Sequence, residues 1–172
     1  MTQLNAGEYD VTLNGIRIHY TVRGAGPVLI AHSGGPGMDA RGWDDFAKVD
    51  EFVTIVAIHP RGSGLSGSAA GNAYLLPDYA SDVQAPRLHL GLEKPALIGW
   101  SHGGMVAQQF AFTYPDSLSK LILFDTSACF GEFLRGREAA DRRRRGALGR
   151  QRGRQAQQQH ERDAGTRRSA RR

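Results

Sequence analysis

An α/β fold with a mostly parallel sheet is what this sequence predicts, on three observations. After an opening hairpin, short apolar runs alternate with stretches of helical spacing. Two of those runs, residues 28–31 and 52–58, are almost uninterrupted, as strands covered on both faces are, and each opens into a glycine-rich loop. A third run, residues 95–98, passes through Gly99-Trp100-Ser101-His102-Gly103 into a helical segment, which puts a serine on a tight strand-to-helix turn.

Taken in order, residues 8–13 and 16–22 read as strands joined by Asn14-Gly15, a strong two-residue hairpin signal. Residues 23–27 are a turn cluster, and 28–31 a short strand that ends in the loop His32-Ser33-Gly34-Gly35-Pro36-Gly37-Met38. A short helix is expected over 41–49, with Trp43, Phe46 and Val49 on one side. Residues 52–58 form the clearest strand, rich in β-branched side chains, followed by the loop 59–67. A helix over 77–92 leads to the serine turn. Pro86 removes one of its hydrogen bonds at a cost of about 3 kcal/mol, so a break or local distortion is expected there. The helix 103–114 has Val106 and Phe110 on one face and is stopped by Pro115; residues 118–124 read as a further buried strand. With strands and helices alternating, helices are expected on both faces of the sheet.

Composition separates two regions. Residues 1–134 hold eight Lys and Arg against thirteen Asp and Glu, a net charge of −5, whereas residues 135–172 hold fourteen Arg against four acids, a net charge of +10. The first region is expected to be a globular domain. The second has Leu148 as its one large apolar residue and carries Arg142-Arg143-Arg144-Arg145 and Gln157-Gln158-Gln159, so it is expected to be a disordered tail. It reads either as a basic arm that neutralises phosphates without sequence recognition, since it has no aromatic residues for base stacking, or as the out-of-frame translation of a GC-rich gene. The N-terminus shows no secretory pattern and no run is long enough to span a membrane; with Cys129 as the single cysteine, a cytoplasmic protein is expected. Neither a cofactor nor a metal is expected, and the anticipated partner is a small-molecule or short-peptide substrate.

The serine turn carries the chemistry. Residues two before and two after such a serine must be small, and Gly99 and Gly103 are; the turn lifts the hydroxyl above the sheet, and the following helix aims N–H groups at a developing oxyanion. Three motifs together, Gly34-Gly35-Pro36-Gly37, His59-Pro60-Arg61-Gly62-Ser63-Gly64-Leu65-Ser66 and Gly99-Trp100-Ser101-His102-Gly103-Gly104, make residues 8–126 resemble the α/β-hydrolases, most closely the prolyl-iminopeptidase-like branch. The resemblance implies Ser101 as nucleophile and the main-chain N–H groups of His102 and Gly35 as oxyanion hole, with Arg61 organising its loop. Ser33 stands where that branch has a histidine, and His59 where it has an aspartate.

A serine needs a base, and the base an orienting acid. In the family the acid and histidine follow the serine in the chain. Here Asp125, at the end of the strand after the turn, is the candidate acid, and its alternative role is to cap the next turn. His160 is the candidate base, with His102 a second. His19 and His89 read as surface residues, and His32 and His59 as loop packing. By resemblance a cap region, further strands, the usual acid and the histidine would follow residue 126, so the chain reads as truncated or frameshifted. The implied function is hydrolysis of an ester or amide through an acyl-enzyme, with release of N-terminal proline as the branch's own reaction. The alternatives are a carboxylesterase and a non-catalytic fragment. The last strand, left without its neighbour, is expected to act as an edge prone to self-association.

Overall fold

The structure is a computed structural model in which residues 4–71 and 73–127 are described. Strands β1 (Gly7–Leu13) and β2 (Ile16–Arg23) form the antiparallel hairpin, turned at Asn14 and Gly15, both with positive φ. There follow β3 (Val28–His32), β4 (Thr54–Ile58), helix α1 (Leu76–His89), β5 (Ala96–Trp100), helix α2 (His102–Thr113) and β6 (Lys120–Phe124). The sheet order is β1-β2-β4-β3-β5-β6; β4, β3, β5 and β6 run parallel, and β2 pairs antiparallel with β4. The predicted α/β class and mostly parallel sheet are what the chain adopts.

Helices do not cover both faces as expected. Among the described residues α1 and α2 both pack on one face, against Ile18, Tyr20, Ile30, Val56 and Leu97. The other face, with Leu29, Ala31, Ile55 and Ile98, is covered by Ala40 and Trp43 from the β3–β4 connection. The strand order explains this. The step from β3 to β4 runs one way along the sheet, whereas β4 to β5 and β5 to β6 run the other; right-handed crossovers therefore lie on opposite faces. The β3–β4 connection is not the helix expected over 41–49. It consists of two 3₁₀ turns, Ala40–Trp43 and Val49–Glu51, separated by Ala47 and Lys48 with positive φ. Trp43, Phe46 and Val49 still reach the same apolar cluster, so the predicted burial holds although the regular helix does not form.

Helix α1 runs unbroken through Pro86 and ends three residues later, where few hydrogen bonds remain to lose. The strand β6 is a strand as expected but is not buried. Every residue of it is exposed among the described residues, and it lies at the sheet edge, paired with β5 alone. His19 is not a surface residue. It is 4% exposed, with its Nδ1 3.2 Å from Asp10 and its ring edge-on to His59. The loop after β4 closes over it, the His19 N–H donating to the Ser66 hydroxyl and the His19 carbonyl accepting the His59 N–H, both at 2.9 Å, which strand periodicity alone does not reveal. His89 is exposed, as expected.

Candidate active site

Because crossovers leave β3 and β5 toward opposite faces, the carboxyl ends of these two adjacent strands diverge and open a crevice, the place where open α/β sheets bind ligands. Ser101 stands at the end of β5 with φ 53° and ψ −115°, a conformation costing a non-glycine residue about 1–3 kcal/mol. Its side chain is exposed, and its Oγ has no hydrogen-bond partner among the described residues. Two glycines make the turn possible. A Cβ on Gly99 would overlap the backbone of Gly103 and Gly104, and a Cβ on Gly103 would overlap the carbonyl oxygens of His32 and Ser33. The tight turn by itself needs small residues at these positions; the second collision partner, the end of β3, comes from the tertiary fold.

The loop after β3 lies against the serine. A Cβ on Gly34 would sit 3.0 Å from the Ser101 Cβ and 3.7 Å from its Oγ. Gly35 has φ +47°, its carbonyl accepts the Met38 N–H at 3.1 Å, and the Met38 side chain packs over it. The Gly37 N–H donates to the Ser63 hydroxyl at 3.1 Å, which ties this loop to the one after β4.

Arg61, expected to organise its own loop, ties that loop to α1 through a partner the sequence did not indicate. Its guanidinium donates to both carboxylate oxygens of buried Asp82 on α1, at 2.5 and 2.7 Å, and to the carbonyls of Ala73 and Asp78. It also lies over the ring of Tyr79, 5.9 Å from its centroid. Tyr79 in turn packs edge-on to the rings of His32 and His102. The His102 side chain is thus engaged with α1, while its main chain begins α2.

His32 is fully buried, its Nδ1 3.0 Å from the Ser33 carbonyl. Burial, reinforced by His102 and partly offset by that hydrogen bond, pushes its pKa down to about 4. His59 is shifted the same way by burial and by His19; its Nδ1 accepts the Leu65 N–H at 3.2 Å. A histidine with a lowered folded pKa binds fewer protons folded than unfolded, so its contribution is complete above about pH 6.5 and is lost as pH falls toward 4. For His32 the loss should reach about 3 kcal/mol. Urea unfolding from pH 7 to 4 should show it, and His32→Asn should flatten that dependence; an equal slope in the variant would refute the assignment.

Asp125 follows β6 with φ 43° and is exposed, one residue after Phe124, whose carbonyl accepts the Ser101 N–H at 3.0 Å. His160, Cys129 and the Arg-rich segment 135–172 lie outside the described residues. A groove of about 630 Å³ is lined by β1, β2, Asp39, Arg41 and His59, but not by Ser101. Among the described residues no group of three metal-ligating side chains is present, and no helix is long and apolar enough to cross a membrane. Sequence reasoning missed Asp82, Tyr79 and Thr126, whose hydroxyl donates to the Ser101 carbonyl at 2.6 Å; only the Gly103-Gly104 pair hinted that something must approach the start of α2.

Comparison with known proteins agrees with this geometry. The pattern of the alpha/beta hydrolase fold family matches residues 27–169. A 2-hydroxy-6-oxononadienedioate/2-hydroxy-6-oxononatrienedioate hydrolase of Paraburkholderia phymatum is 33% identical over 71% of this chain and 45% of its own. The human serine hydrolase BPHL is 32% identical over 69% of this chain and 42% of its own. Among solved structures, the epoxide hydrolase CorEH superposes with a TM-score of 0.66 at 29% identity, over 71% of this chain and 43% of that one. The chain therefore spans less than half the length of these relatives. On the sheet order, the serine turn and the family match, the chain belongs to the α/β hydrolase fold family.

Proposed function

We propose that the site is that of a serine hydrolase working through an acyl-enzyme on an ester or amide. The observation that carries this is Ser101 itself, held exposed in a strained conformation between β5 and α2. Its Oγ attacks the carbonyl carbon and passes its proton to a base, and the carbonyl oxygen takes the negative charge. The main-chain N–H groups of His102 and Gly35 are the oxyanion donors in this reading, with Gly34 giving the substrate oxygen close access to the backbone. The adduct collapses as the C–O or C–N bond breaks, and the base hands its proton to the leaving alcohol or amine. Water, deprotonated by the same base, then attacks the acyl-enzyme, releasing the acid and restoring the Ser101 hydroxyl. Asp125 is the proposed acid and His160 the proposed base; the first borders the elbow through Phe124, and the second lies outside the described residues.

Peptides with N-terminal proline remain the narrower proposal, resting on the Gly34-Gly35-Pro36-Gly37 loop. A second reading, hydrolysis of a small oxo acid, is favoured by likeness to relatives such as the 2-hydroxy-6-oxo-6-phenylhexa-2,4-dienoate hydrolase of Comamonas testosteroni, 32% identical over 72% of this chain. We place residues 1–134 in the hydrolase domain, with 135–172 as a separate basic segment.

A fluorophosphonate should label the purified chain, and Ser101→Ala should abolish labelling while circular dichroism stays unchanged. A folded wild-type chain that takes no label would overturn the acyl-enzyme reading and favour a non-catalytic hydrolase fold.

A further inference from the structure

The turn after β6 grips the serine elbow from two sides. The Phe124 carbonyl accepts the Ser101 N–H at 3.0 Å, and the Thr126 hydroxyl donates to the Ser101 carbonyl at 2.6 Å. That carbonyl also accepts the Gly104 N–H at 3.0 Å. Thr126 gets this close because Gly104 has no side chain: a Cβ there would lie 2.5 Å from the Thr126 Cβ, Cγ2 and Oγ1. The turn is pinned in turn by Gln108, whose amide donates to the Ser127 carbonyl at 2.9 Å and the Gly104 carbonyl at 3.1 Å.

We infer that Thr126 is a positioning residue that aims the His102 N–H at the reacting oxygen, an inference that rests on the serine-hydrolase reading above. The Ser101 carbonyl and the His102 N–H are opposite ends of one planar trans peptide, so whatever fixes the carbonyl fixes the direction of the N–H. Ser101's ψ of −115° sets that plane, and a strained ψ persists only where its surroundings hold it. A hydrogen bond accepted by the carbonyl also polarises the peptide and strengthens its N–H as a donor. The threonine acts through the peptide and does not touch the substrate.

The test compares Thr126→Val, which keeps the shape and loses the O–H, with Thr126→Ser, which keeps the O–H. In the full chain, Thr126→Val should lower the limiting rate of fluorophosphonate labelling about tenfold, roughly one net hydrogen bond, at an unchanged half-saturating concentration. Thr126→Ser should stay near wild type. Two readouts need no reaction: the Ser101 carbonyl ¹³C shift should move, and the Ser101 and Gly104 amides should exchange about tenfold faster, in Thr126→Val only. If wild type takes no label, the serine-hydrolase reading fails and the carbonyl shift and amide exchange alone decide whether Thr126 braces the peptide. A folded Thr126→Val chain with wild-type shift and exchange overturns the inference, as does a Thr126→Ser chain as impaired as Thr126→Val. Should Thr126→Val not fold, Thr126→Ala provides the same comparison.

Discussion

Replacing Gly103 by alanine should destabilise the domain by about 3 kcal/mol, against the direction that helix propensity predicts. Gly103 lies in the first turn of α2, where alanine is normally favoured by about 1 kcal/mol. Here the added Cβ would overlap the carbonyl oxygens of His32 and Ser33, backbone atoms with no rotamer to yield. Either α2 lifts off the end of β3, opening the core around Val106 and Phe110, or the loop carrying Gly34 and Gly35 shifts away from Ser101. The first outcome costs stability and the second disrupts the proposed oxyanion hole, so a stable variant should still label poorly. Guanidinium unfolding of Gly103→Ala beside wild type checks this. A variant more stable than wild type would mean that propensity outweighs the contact and that β3 and α2 are not as close as described.

The second large effect is expected at Asp82. Its carboxylate takes two hydrogen bonds from Arg61, and both side chains are almost completely buried. Asp82→Ala strands a buried guanidinium, and breaking such a pair costs about 3–5 kcal/mol. The carbonyls of Ala73 and Asp78 also accept from Arg61, and the Asp78 carboxylate, 4.0 Å from its guanidinium, leaves a weaker counter-charge, so both soften the loss. Asp82→Asn, which keeps one acceptor, should lose less. Replacing both residues by leucine should recover much of the loss, because no charge then remains buried. Urea midpoints for the two single variants and the double variant decide the matter: equal losses for Asp82→Ala and the double variant would show that the pair's packing, and not its charge, is what counts. Because Arg61 also lies over Tyr79, and Tyr79 against His102, Asp82→Ala is expected to loosen the start of α2 as well.

What the sequence determined by itself is local. Asn14-Gly15 specified a hairpin because a two-residue turn needs positive φ, and both residues have it. The uninterrupted runs at β3, β4 and β5 marked strands buried on both faces, and Gly99 and Gly103 marked the elbow because any Cβ there collides at short range. Ser101 was legible for the same reason. The misses are non-local. Segment 41–49 has apolar spacing suited to a helix, yet Ala47 and Lys48 take positive φ and divide it into two 3₁₀ turns. His19 looked like an outward strand position, and only the packing of the β4 loop buries it. The pairing of Arg61 with Asp82, 21 residues apart, and of Thr126 with Ser101, 25 apart, depends on strand order, which no local pattern encodes. The direction of each crossover along the sheet decides which face a connection covers and which loops meet at the crevice, so only the tertiary structure could bring the β3 loop, the elbow and the turn after β6 together.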